Sequence, residues 1–228
     1  VPEGGACKWI DEIVKGILAT KRVFSFVSVG SAEEGVNREN VKVAVEAILK
    51  LGKEFKGKGW HPGVRFIAVV NPPYASPYFP ASYHHPSMPE FCVSASYLAC
   101  NYLYYAFLRE GFKGLKEAIS RAVKVTAKVG ERVAKKLGAK FLGVDYSVAP
   151  WMEESVARLV EALSGCQFGE PGTLSGVYTL YRVLSEKARN TGVNPVGYGG
   201  VMLPLAEDRR LVEVAFKGLL SIDKLLSL

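Results

Sequence analysis

The order of strand-like and helix-like segments predicts an α/β protein with a mainly parallel sheet, open or closed into a barrel and flanked by helices. Three observations carry that expectation. Short runs rich in β-branched and aromatic residues, at 23–29, 64–70, 91–96 and 140–144, read as strands. Segments of helical length and spacing separate them. The run at 64–70 is almost unbroken in its apolar character, as a strand covered on both faces would be.

The elements follow in order. After the strand at 23–29, the turn formers of 30–37 make a loop, and Asn37 suits a helix cap. Val41, Val45, Ile48 and Leu49 then fall on one stripe of an amphipathic helix that Gly52 stops. Asn71-Pro72-Pro73 ends the strand at 64–70, and a Pro-rich loop runs to Pro89. The strand at 91–96 leads to helices at 97–109 and 115–137, the second closed by Gly138. The strand at 140–144 is followed by a loop at 145–150, a helix at 153–163 ended by Gly165, and a helix at 173–189. A Gly-rich loop, a short strand at 201–205 and a helix at 207–217 complete the pattern.

A chain of 228 residues, 49% hydrophobic and 22% charged, is expected to form one packed domain over 1–228 rather than a disordered segment. The longest charge-free stretch, 91–108, is interrupted by Ser94, Ser96 and Asn101 and falls short of a bilayer-spanning length, so no membrane partner is expected. No secretory signal pattern precedes the first strand and Val1 stands where Met would, which predicts a cytoplasmic, processed or shortened chain. The net charge of +7 is spread along helices with acids interspersed, as at 113–140, and no zinc-finger or aromatic-basic signature accompanies it. A nucleic-acid partner is therefore not expected, whereas a small anionic ligand is. Cys7, Cys92, Cys100 and Cys166 lack metal-ligand spacing and read as small hydrophobes, so no metal is assigned. A single Gln, Gln167, among abundant Lys, Glu, Arg and Val fits a thermophilic source.

In parallel α/β folds, ligands sit at the carboxyl ends of strands, where loops converge and helix N-termini present partial positive charge. Those loops hold Ser31, Glu33, Glu34 and Asn37, then Asn71, Tyr74, His84 and His85, then Asp145, Ser147, Glu153 and Glu154. His84 and His85 suit a general base or a metal ligand, and because adjacent histidines in an extended chain point to opposite faces, at most one faces a pocket, with His84 the candidate. Asp145 reads either as a base or ligand acceptor or as a loop cap for backbone amides. Glu153 and Glu154 read as carboxylates stabilised at a helix start. Asn194 with Gly199 and Gly200 would let amides approach an anion, or form a turn before a buried strand. The candidate catalytic residues are thus His84 and Asp145, and the candidate ligand-binding residues Ser31, Asn37, Asn71, Asn194, Gly199 and Gly200. No cofactor is identified.

Ser28-Val29-Gly30-Ser31 with Gly35-Val36-Asn37, the strand and loop from Phe66 to His84 with Pro77 and Phe79, and Leu142 through Pro150 leading to Glu154-Ser155-Val156-Ala157-Arg158 together resemble one family. It is the uncharacterised family catalogued as domain of unknown function 711, also called uncharacterised protein family 0210. Gly172-Thr173, Asn194 through Gly200, Pro204 and Asp208 fit the same order. The resemblance implies that the chain is the central part of a longer architecture. It also implies a fold similar to the ten-stranded α/β barrel of glycyl radical enzymes, here partial. It does not extend to radical chemistry, because the Arg expected before Val196-Gly197-Tyr198 is absent. The functional expectation is an enzyme acting on a small anionic metabolite at the strand-end rim, in a homo-oligomer. The alternative is a non-catalytic regulatory or metabolite-binding protein.

Overall fold

The computed structural model describes residues 6–20, 22–54, 62–72, 75–78, 82 and 87–228. It is mixed α/β, and its strand pairs along the main ladders are parallel, as the alternation of elements predicts. The chain divides into two compact units, Val1–Pro86 and Ser87–Leu228, each with its own apolar core.

The first unit contains α1 (Ala6–Ala19), β1 (Ser25–Ser31), β2 (Gly35–Val36), α2 (Arg38–Lys53) and β3 (Phe66–Val70). β1 pairs in parallel with β3 from Ser25 opposite Phe66 to Gly30 opposite Val70, with Val29 bulged out of register. β2 folds back antiparallel on the end of β1. A 3-10 turn over Pro62–Arg65 delays the start of β3, and the strand is not covered on both faces as its apolar run suggests. Phe66 and Val69 are buried, whereas Ala68 and Val70 are exposed.

α2 forms where Asn37 predicts it, with the Asn37 side chain accepting from Asn40 N at 3.0 Å, and it runs past Gly52. Its buried face differs from the expected stripe. Val43, Ala44, Ala47 and Leu51 are buried, and Val45, Ile48 and Leu49 are exposed. Two small alanines let the helix approach Val27 and Phe66 closely, which the bulkier residues on the other face would prevent. α1 supplies Ile10, Val14 and Ile17 to the same core at i, i+4 and i+7.

The second unit contains β4 (Cys92–Ser96), α3 (Cys100–Leu137), β5 (Lys140–Asp145), α4 (Val156–Ser164), α5 (Thr173–Arg189), α6 (Arg209–Phe216) and α7 (Ile222–Leu226). α3 has the two parts read from the sequence, separated at Gly111, whose φ of 60° breaks the helical backbone. β4 and β5 pair in parallel from Cys92 opposite Lys140 to Ser96 opposite Asp145. The expected strand at 201–205 is reduced to single bridges. Pro195 pairs with Val144 and Val201 with Val148, so the Gly-rich segment runs beside the end of β5. Leu103, Leu115, Ile119, Leu159, Phe168, Leu180, Leu184 and Leu211 are fully buried in the core between the helices. Among the described residues, no helix is long and apolar enough to cross a membrane.

α4 begins at Val156, so Glu153 and Glu154 precede it. Glu154 Oε2 accepts from Asn101 N at the start of α3, and Glu153 pairs with Arg209. The first turns of α4 and α6 share one carboxylate. Asp208, with no exposed surface, accepts from Ser155 Oγ at 2.7 Å, Ala157 N at 3.1 Å, Arg210 N at 2.9 Å and Leu211 N at 3.3 Å. Asp208→Ala strips the acceptor from two helix starts. It is expected to lower stability by about 3 kcal/mol and the melting temperature by about 10 °C, measured by thermal denaturation, more than either Ser155→Ala or an exposed Asp→Ala would.

Candidate functional site

The carboxyl ends of the parallel strands carry candidate residues in each unit. In the first unit, β1 ends at Ser31 and β3 at Val70, so the turn after Ser31 and the residue after Val70 emerge side by side. Asn71 adopts a left-handed backbone, φ 51°, a conformation that Asn tolerates better than most residues because its short amide bonds locally. Its N–H donates to Gly30 O at 3.1 Å, and its Oδ1 accepts from Ala32 N at 2.7 Å, which ties the two strand ends together. Ser31 Oγ accepts from Glu34 N at 3.0 Å, closing the turn. Asn37 N donates to Val29 O at 2.8 Å, bringing the start of α2 to the same end of the sheet. Ser31, Asn37 and Asn71 are therefore gathered on one rim. Among the described residues, the Nδ2 group of Asn71 and the guanidinium of Arg38 carry no hydrogen bond or ion pair, and both residues are exposed.

In the second unit, Asp145 closes β5 and has no exposed surface. Its Oδ1 accepts from Ser147 N at 2.9 Å, Ser147 Oγ at 2.6 Å and Gly199 N at 3.1 Å, and its Oδ2 from Tyr198 N at 2.9 Å. Gly200 N donates to Ser147 Oγ at 3.0 Å. Asn194 donates from Nδ2 to Leu142 O at 2.6 Å. Asp145, Asn194, Gly199 and Gly200 thus meet, and the amides read as possible anion ligands are turned onto protein acceptors. Of the two readings of Asp145, the loop cap is what these bonds make. The glycines answer to that packing: Gly197, φ 70°, would drive a Cβ into the Asp145 carboxylate, and Gly143 would drive one into Asn194 O.

His84 lies outside the described residues, as do Tyr74 and His85. Cys100 is fully buried with its thiol donating to Ala149 O at 3.2 Å. Burial, reinforced by the nearby carboxylates of Glu154 and Asp208, pushes that thiol far up, so it is no nucleophile. Burial and Asp145 likewise hold the Tyr198 hydroxyl above its usual range. Among the described residues, no group of three His, Cys, Asp or Glu side chains is arranged to hold a metal ion.

Nearly the whole chain is similar to known proteins. A UPF0210 protein of Pyrobaculum islandicum is 29% identical over 232 residues, covering 98% of this chain and 50% of the relative. One from Methanopyrus kandleri is 29% identical over 226 residues, covering 95% and 49%, and one from Halothermothrix orenii is 26% identical over 232 residues, covering 97% and 51%. Relatives from thermophiles are among these, and the chain spans about half the length of the curated relatives it matches. A family model described as Uncharacterised ACR (DUF711) matches residues 2–228, and the chain belongs to that family.

Proposed function

We propose that the chain binds a small anionic metabolite at the carboxyl ends of its parallel strands, on the rim formed by Ser31, Asn37 and Asn71. The observation that carries this reading is Asn71, whose carboxamide oxygen is fixed by Ala32 N while its NH2 group has no partner among the described residues. A side chain fixed at one atom and presenting two donors at the other is pre-organised for an anion. The start of α2 and the Arg38 guanidinium add positive potential at the same end of the sheet. The protein is read as a cytoplasmic homo-oligomer whose sheet is part of an α/β barrel similar to that of glycyl radical enzymes. Large apolar side chains left exposed, such as Phe216 at 89% and Leu226 at 82%, support the oligomer.

His84 is the proposed acid–base group of an enzyme at that rim, and Asp145, in the other unit, serves as a loop cap whose buried carboxylate already holds four protein donors. That occupancy also favours a second reading, a protein that binds the metabolite without transforming it.

Titration with inorganic phosphate and malonate, followed by amide NMR, is expected to move the signals of Ala32 and Asn71. Asn71→Gly keeps the left-handed backbone and is expected to weaken binding about tenfold or more with little change in melting temperature. Unchanged affinity in that variant sinks the rim. In a metabolite library, turnover that His84→Ala abolishes supports the enzyme, and saturable binding without product supports the second reading. Asp145→Asn sets an NH2 donor against Tyr198 N or Gly199 N and is expected to cost about 3 kcal/mol of stability. Full stability with lost turnover returns Asp145 to the role of base.

A further inference from the structure

The tetrapeptide Arg-Leu-Val-Glu occurs twice, at Arg158–Glu161 in α4 and at Arg210–Glu213 in α6. In both, the Leu is fully buried, which turns the Arg and Glu three positions apart toward the same surface. The two copies line one cleft of about 710 Å3, with Tyr104 of α3 and Glu170 of the turn after α4 completing it.

The charges of this cleft divide into a spent set and an available set. Arg210 Nε bonds both oxygens of Glu161, at 2.9 and 3.0 Å, and its NH1 bonds Glu213 at 3.0 Å. Glu161 also accepts from Phe168 N at 2.9 Å, and the Arg210 and Glu161 side chains are only 17% and 19% exposed. This network is a fixed floor. Arg158 is exposed and makes no ion pair among the described residues. Glu170 gives one oxygen to Gln167 N at 2.8 Å, and Glu213, which holds Arg210 through Oε2 alone, keeps Oε1 unbonded among the described residues and is 43% exposed.

We infer that this cleft binds a small zwitterion of the α-amino-acid type. The Arg158 fork takes the carboxylate, and Glu170 and Glu213 take the ammonium. With three carboxylates against two guanidiniums, a simple anion meets net repulsion, and a simple cation leaves Arg158 facing it. A ligand carrying both charges satisfies both sides, and the planar guanidinium suits a carboxylate through paired N–H donors. The volume lies in the range of small-ligand sites, and the Tyr104 ring offers an apolar wall for a side chain.

The test is calorimetric titration of the full chain with the twenty standard α-amino acids. Each one that binds is then compared with its decarboxylated amine and its deaminated acid. The amine and the acid are each expected to bind about tenfold or more weakly than the amino acid. Arg158→Gln is expected to remove the preference for the amino acid over the amine, and Glu170→Gln the preference over the acid, at unchanged melting temperature since neither side chain is in the core. Asn71→Gly is expected to leave amino-acid binding intact, which separates this site from the strand-end rim. The inference is overturned if no amino acid binds below about 10 mM, if the deaminated acid binds as tightly as the amino acid, or if Arg158→Gln leaves affinity unchanged.

Discussion

Loops of the second unit turn backbone N–H groups inward, and two buried carboxylates accept from them. Asp145 takes Ser147 N, Ser147 Oγ, Tyr198 N and Gly199 N, and Asp208 takes Ser155 Oγ, Ala157 N, Arg210 N and Leu211 N. Neither has exposed surface. A carboxylate so placed is stable only while its donors are all present, because an unpaired buried charge is far more costly than a lost surface contact. The Gly-rich segment beside β5 and the adjoining starts of α4 and α6 both follow from these two side chains. The same placement bears on chemistry, since a carboxylate with no exposed surface and four protein donors is closed to a substrate.

Much of the fold was legible because it depended on local signals. Thr173–Arg189 forms a helix with the bounds read from the sequence, and the strand read at 140–144 extends by only one residue. What escaped was decided by partners. α2 carries apolar residues on two faces, and spacing alone favoured the larger side chains of Val45, Ile48 and Leu49. The closer packing available to Ala44 and Ala47 chose the other face. α1 carries Ile10, Val14 and Ile17 at the spacing of a buried stripe, but no Ser, Thr, Asp or Asn stands before Ala6 in the sequence to signal its start.

The rim residues Ser31, Asn37 and Asn71 were legible from one topological rule, that loops following parallel strands emerge together. The bond from Ala32 N to Asn71 Oδ1 spans 39 positions and the left-handed turn of Asn71 is a backbone property, so neither has a sequence signature. Asp145 was legible as a polar residue ending an apolar strand, but its two readings separate only when the donors of residues 198 and 199 are placed. The cleft between α4 and α6 had a readable signal in its repeated Arg-Leu-Val-Glu. That signal becomes chemistry only through the Arg210–Glu161 pair, which joins residues 49 positions apart.

Net charge is a poor guide to such sites, and the reason is screening. The chain carries +7 overall, which favours anionic ligands as an average over its whole surface. At physiological salt, charges farther apart than about 8 Å scarcely influence one another across solvent, so each site responds to its own neighbours. At the strand-end rim those neighbours are Arg38, a helix start and an amide, with Glu33 and Glu34 in the same turn, so directed donors rather than net charge favour an anion there. In the α4–α6 cleft, three carboxylates outnumber two guanidiniums, and the local sign opposes the total. A basic protein can therefore present one surface suited to an anion and another suited to a ligand that also carries an ammonium. The residues that set this difference are those left unpaired once the internal ion pairs have formed.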